Sequence, residues 1–143
     1  MVSIQEVEIL LVEDNDEDLE LTLRALRHHR VTNRIHVVRD GAEALAFFRS
    51  HLTQLPKIVL LDLKLPKVSG IEVLEAIRAD ERTRALPVVV LTSSREELDV
   101  TRCYALGVNS YIVKPVDFDA FVKAVAEVGL YWLLLNQPPA VRP

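Results

Sequence analysis

The sequence predicts an α/β fold: a doubly wound, five-stranded parallel sheet with five helices. Three observations predict it. Five short runs are almost wholly Val, Ile and Leu, as in strands covered on both faces. Longer amphipathic stretches separate them, so strand and helix alternate along the whole chain. Gly, Pro and Asp punctuate the joins. Parallel neighbours linked through helices take right-handed crossovers, which wraps helices over both faces of an open sheet.

The elements follow in order. The first run is residues 7–12, and Leu19, Leu23 and Leu26 mark a helix behind it. The second run, 35–38, is followed by Asp40-Gly41 and then Ala44, Leu45 and Phe48 at helical spacing. Asp40-Gly41 is therefore a cap signal and not a hairpin turn. After the third run, 58–61, Pro66 and Gly70 bracket a loop before Val73, Leu74 and Ile77. Pro87 opens the fourth run, 88–91, whose helix carries Leu98, Cys103, Ala105 and Leu106 and ends at Gly107. The fifth run is 111–113. Asp117 suits the cap of a last helix with the stripe Phe118, Phe121, Val122, Val125 and Val128. Residues 129–135 prolong that helix and are apolar on every side. The expected organisation is one domain over 1–136 with an extended C-terminal helix, then an irregular tail, 137–143, holding three prolines.

Composition narrows the function. The chain has 143 residues, half of them hydrophobic and 27% charged, which is enough for a core and too polar for a membrane bundle. Lys plus Arg is 17 against 21 for Asp plus Glu, so there is no overall attraction for nucleic acid. The one cysteine, Cys103, excludes an internal disulfide and a cysteine-based zinc site. No basic leader and no apolar run of about 18 residues is visible. A cytoplasmic protein, free of membranes and nucleic acid, is expected.

Ligands of open α/β sheets bind at the carboxyl ends of the strands. There the first strand delivers Glu13-Asp14, the third Asp62, the fourth Thr92 and the fifth Lys114-Pro115. Three carboxylates repel one another, and Lys114 cancels only one charge. A hard dication would supply the missing two. Magnesium suits such a set, because it takes a few carboxylates, keeps water and leaves room for phosphate oxygens. No serine, cysteine or histidine ends a strand with such neighbours, so a phosphoryl acceptor here would be a carboxylate, with Asp62 central. Each residue alone has a plainer reading. Asp14 or Asn15 suits a helix cap, Thr92 suits the cap of the fourth helix, and Lys114 suits a solvated surface.

These motifs together resemble the receiver domains of two-component response regulators. They are Leu10-Leu11-Val12-Glu13-Asp14-Asn15, Leu60-Leu61-Asp62-Leu63-Lys64-Leu65-Pro66, Val90-Leu91-Thr92-Ser93 and Val113-Lys114-Pro115. The likeness runs from about Val7 to about Gly129. It implies the flavodoxin-like strand order 2-1-3-4-5, for which the chemotaxis member of this family is a standing example. It implies that Asp62 accepts phosphate from a sensor histidine kinase. Asp14, Asp62 and the backbone carbonyl of Lys64 would bind Mg2+ directly, and Glu13 mainly through water. Thr92 and Lys114 would each meet a phosphoryl oxygen, and Tyr111 matches the switch aromatic that follows Thr92 inward. A cis bond before Pro115 is also implied. Lys64 and Ser94 stand where family members set the phosphoryl lifetime, and Ser93 is small enough to admit water.

Other features are bland or point to partners. His28, His29, His36 and His51 lack metal spacing and read as surface residues, and Cys103 as a small buried apolar one. No output domain is expected, so signalling would pass to a partner or through a homodimer. Helix four, strand five, helix five and the apolar extension 129–135 are the expected dimer surface. That extension, with Gly41-Ala42-Glu43-Ala44-Leu45-Ala46-Phe47-Phe48 and Lys114-Pro115-Val116-Asp117, resembles stand-alone regulators paired with bacterial phytochromes. Competing functions fit less well. Aspartate-nucleophile phosphatases carry an acid two residues after the nucleophile, where this chain has Lys64. No glycine-rich phosphate loop is present for a nucleotide-binding domain. A pseudo-receiver would lack Asp62 or Lys114. The expected protein is a phosphoacceptor switch and not an enzyme.

Overall fold

The computed structural model describes residues 8–28, 34–114, 119–120 and 123. Nine elements are described: β1 (Ile9–Val12), α1 (Asp16–His28), β2 (Ile35–Val38), α2 (Gly41–Ser50), β3 (Ile58–Leu61), α3 (Gly70–Ala79), β4 (Val88–Thr92), α4 (Glu97–Ala105) and β5 (Ser110–Val113). The strands are parallel and ordered β2-β1-β3-β4-β5, as the resemblance implies. Of the expected fifth helix, Asp119, Ala120 and Lys123 are described and helical, while its stripe Phe118, Phe121, Val122, Val125 and Val128, its cap Asp117, the bond before Pro115, the extension 129–135 and the tail 137–143 lie outside the described residues, as does His29.

Period-two alternation divides the strands between two cores. Leu10, Val12, Val59, Leu61, Val88 and Val90 face Phe47 and Phe48 of α2, Val73, Leu74 and Ile77 of α3, and Cys103 of α4. Ile9, Leu11, Ile58, Leu60, Val89 and Leu91 face Ala25 and Leu26 of α1. The three central strands are buried throughout, which explains their unbroken apolar runs. The edge strands β2 and β5 are only partly buried.

Caps set where the helices begin. The Asn15 side chain accepts from the Asp18 N–H at 2.9 Å, and Asp40 accepts from the Glu43 N–H at 2.8 Å. Ser69 and Glu72 form a reciprocal capping box at the start of α3. Gly107 closes α4 at φ 75°, a conformation that favours glycine.

The apolar residues of α4 divide between core and solvent, and one expectation changes. Leu98 is 82% exposed, and Ala105 is exposed too; Cys103 alone is buried in that helix. Five residues turn a helix by about 500°, which puts Leu98 roughly 140° around from Cys103. Nor does Thr92 cap α4. Its hydroxyl accepts from the Ser94 N–H at 3.3 Å, and α4 starts after Glu96. The histidine reading is also refined. His36 is exposed but stacks on Phe47 at 5.1 Å, while His51 is half-buried, stacks at 3.9 Å and sets Nδ1 2.8 Å from the Phe47 carbonyl.

Candidate functional site at the carboxyl rim of the sheet

Strand register brings the site together. Val12 pairs with Leu61, Leu61 with Val90, and Thr92 with Val113, so neighbouring strands end nearly level. The residues one step beyond are Glu13, Asp62 and Lys114. Their backbone N–H groups still donate into the sheet, to Val38, Val12 and Thr92 respectively, at 3.1, 3.1 and 2.6 Å. Each side chain is thereby fixed at its base.

Glu13, Asp14 and Asp62 each offer a carboxylate oxygen within 4.8 Å of the others. Glu13 is 2% exposed and Asp62 is 7%, while Asp14 is half-buried and open to solvent. Hard oxygen donors at this spacing suit an octahedral dication that keeps several waters. Lys114, itself buried, donates to Glu13 Oε1 at 2.7 Å and stands 3.9 Å from Asp62 Oδ2. The second distance is an ion pair without a hydrogen bond.

Burial sets the electrostatics. It pushes the Glu13 carboxyl up to about 7; the Lys114 hydrogen bond opposes this and the Asp62 charge adds to it. Burial also pulls the Lys114 ammonium down, yet hydrogen bonds to Asp18 and Glu13 outweigh it and the net shift is upward. Lys114 therefore stays charged beside an excess of carboxylates.

Thr92 is fully buried at the end of β4. Tyr111 of β5 is half-buried, and its hydroxyl donates to the Ser94 carbonyl at 3.0 Å. Ser94 thus touches both Thr92 and Tyr111, and its own hydroxyl reaches Asp99 Oδ2 on α4 at 2.5 Å. The Lys64 N–H donates to Asp62 Oδ1 at 3.3 Å, which turns the chain back over the site.

Three supports escaped the sequence reading. Asp18 takes a second hydrogen bond from Lys114, at 2.8 Å. Arg39 donates to the Asp14 carbonyl at 2.8 Å and pairs with Asp16, holding the loop after β1 against β2. Gly70 lets α3 pack on the strand end, because a Cβ there would stand 2.2 Å from the Asp62 carbonyl oxygen. Of these, only the glycine carried any signal, as a loop residue next to a helical pattern.

Residues 9–126 match the response regulator receiver domain. The chain belongs to that family. It is 48% identical over 134 residues to the probable methanogenesis regulatory protein FilR2 of Methanothrix harundinacea, spanning 92% of this chain and 86% of that protein. It is similar to the phosphorylated cyanobacterial phytochrome response regulator RcpA, at 37% identity and a TM-score of 0.84, covering 94% of this chain and 99% of that one. The Mn(2+)-bound form of Rcp1, a response regulator of Synechocystis sp., matches at 37% identity and a TM-score of 0.81, over 92% and 98% of the two chains. Receiver domains of this family are phosphoacceptor switches that bind a divalent metal and work with histidine kinases. Among the described residues of this receiver, no helix is long and apolar enough to cross a membrane.

Proposed function

We propose that this receiver accepts a phosphoryl group on Asp62 from the phosphohistidine of a sensor kinase, with Mg2+ bound by Asp14, Asp62 and the Lys64 carbonyl. The observation that carries the reading is one buried acceptor, Asp62, flanked by two further carboxylates and a buried ammonium. The donor set fits the ion, since hard carboxylate oxygens of Glu13, Asp14 and Asp62 converge within 4.8 Å. When bound, the ion would offset the repulsion between Asp62 and the incoming phosphoryl oxygens.

The chain's own residues do the rest. An Asp62 oxygen forms a P–O bond as the P–N bond to the kinase imidazole breaks, and that nitrogen keeps the electron pair. Lys114 neutralises one phosphoryl oxygen and the Thr92 hydroxyl hydrogen-bonds another. Turning Thr92 away withdraws the acceptor of the Ser94 N–H, which loosens the loop carrying the Tyr111 anchor. The altered surface of α4 and β5, with the C-terminal extension, then meets a partner or a second copy of the chain. Exposed Leu98 and Tyr104 support that surface. The chain acts as a switch and not as an enzyme, because Lys64 stands where a phosphatase of this chemistry needs an acid.

Acetyl phosphate with Mg2+ should label the wild-type chain, and Asp62→Asn should abolish labelling entirely on phosphate-affinity gels. Labelling that persists in Asp62→Asn overturns the assignment. Light scattering with and without beryllofluoride reads the dimer: a mass that doubles supports a phosphorylation-driven homodimer, and a monomer in both states removes it.

The phytochrome relatives support a phytochrome-type kinase as donor, with the cytoplasm as the place of exchange. Transfer from an autophosphorylated bacterial phytochrome should outpace transfer from unrelated kinases. Equal rates would end that pairing.

A further inference from the structure

We propose that Asp18 is a positioning residue for phosphoryl acceptance: it holds Lys114 where its ammonium serves an oxygen on the phosphoryl group and not the acceptor carboxylate itself. The proposal rests on Asp62 being the acceptor and adds a fourth carboxylate to the working set.

The geometry is specific. An ammonium has three N–H donors. Lys114 gives one to Glu13 Oε1 at 2.7 Å and one to Asp18 Oδ2 at 2.8 Å, while Asp62 Oδ2 stays at 3.9 Å. Among the described residues the third donor is uncommitted. Glu13 and Asp18 thus share the lysine and hold it short of Asp62. A phosphoryl oxygen carried on Asp62 extends beyond the carboxylate and closes that gap with the lysine where it already stands. Lysine is a flexible chain whose ordering costs rotamer freedom. Two anchors remove that freedom on folding, before the phosphoryl group arrives.

Asp18 is itself anchored. It lies in the first turn of α1, its N–H capped by the Asn15 side chain at 2.9 Å. Asn15 in turn donates its N–H to Glu13 Oε2 at 3.2 Å. The helix start favours a negative side chain there. Glu13, Asn15 and Asp18 therefore form one braced unit around the ammonium. Asp18 lies outside the trio that can converge on a metal, which separates its role from metal binding.

The test compares wild type, Asp18→Ala, Asp18→Asn and Asp62→Asn in acetyl phosphate labelling, titrated with Mg2+. Asp62→Asn confirms the acceptor independently: if wild type does not label, the functional reading fails and Asp18 falls with it. Given wild-type labelling, Asp18→Ala should lower the maximal rate at saturating Mg2+ by about tenfold. Its half-saturating Mg2+ should stay within about twofold of wild type, since the metal-binding trio is untouched. Asp18→Asn keeps an oxygen acceptor and should recover part of the rate. Thermal melts establish that each variant is folded at the assay temperature; if Asp18→Ala is not, Asp18→Asn alone must show the fall in maximal rate. A rate at or above wild type overturns the proposal and makes Asp18 a bystander or a competitor for the lysine. A rate that recovers fully at higher Mg2+ overturns it too, because Asp18 would then act on the metal.

Discussion

Lys114 and Arg78 are both long cations withdrawn from solvent, and they sit at opposite ends of the same sheet. Among the described residues Lys114, at the carboxyl rim, meets side-chain carboxylates: Glu13, Asp18 and, at ion-pair distance, Asp62. Among the described residues Arg78, from α3, meets backbone alone. Its guanidinium donates to the carbonyls of Leu106 at 2.7 Å, Arg84 at 3.0 Å, Leu86 at 2.7 Å and Gly107 at 2.8 Å. The carbonyls are fixed, neutral and already stationed by the end of α4 and the loop into β4. They take four of the five N–H donors of Arg78 and bring no negative charge of their own. The carboxylates around Lys114 exceed it in charge and leave the rim short of positive charge. A cavity of about 490 Å3 beside Arg78 is lined by Arg84, Leu86, Leu106 and Asn109, without a carboxylate in it. Negative charge in excess gathers at the carboxyl rim, and the chemistry follows it.

The comparison predicts separable failures. Lys114→Met should slow phosphoryl acceptance by about 100-fold, the scale of losing one preorganised charge partner. It also removes a positive charge beside the metal-binding trio, so Mg2+ should bind more tightly. The Mg2+-induced rise in melting temperature should then exceed that of wild type. A variant that labels normally would break the claim that the rim cation serves chemistry. Arg78→Met should do the reverse. Two of its four bonds are exposed and water replaces them, while the two part-buried ones cost about 1 kcal/mol each. The expected loss is about 2 kcal/mol of stability, or roughly 6 °C in melting temperature. Labelling at a temperature where the variant is folded should match wild type. Equal damage to labelling would show that the two ends are mechanically one.

The sequence told the two ends apart only at one of them. The rim was readable because four short motifs each end a run of Val, Ile and Leu, and a parallel sheet must bring such ends together. The three central strands read cleanly because burial on both faces leaves no polar interruption. The strand order came from family likeness, since no local pattern says which parallel strand neighbours which. Asp18 was missed because an acid in the first turn of a helix is ordinary on dipole grounds. Its partner lies 96 residues away and only the fold reveals the contact. Arg78 was missed for the same reason: its acceptors are backbone groups, which carry no sequence signature. Leu98 marks α4 as an apolar residue at helical spacing, and only its angle around the helix shows that it faces solvent.

Cys103 offers the finest reading of how far the Arg78 end holds α4. Its thiol is buried, and burial, with the Asp99 charge adding, pushes its pKa up to about 11. At pH 8 the thiolate fraction would then be roughly one in a thousand, and thiolate is the reactive form. Aromatic disulfide reagents should therefore label the native protein slowly, and mostly through local opening of α4. Arg78 ties down the carbonyls of Leu106 and Gly107, three and four residues beyond Cys103. Arg78→Met should speed native-state labelling by a few-fold, while Lys114→Met leaves it unchanged. The opposite ranking would mean that α4 is held from the acidic rim through Asp99 and Ser94. The side chain of Asp99 would then be the next to remove, since it joins that helix to the loop after β4 by accepting a hydrogen bond from the Ser94 hydroxyl.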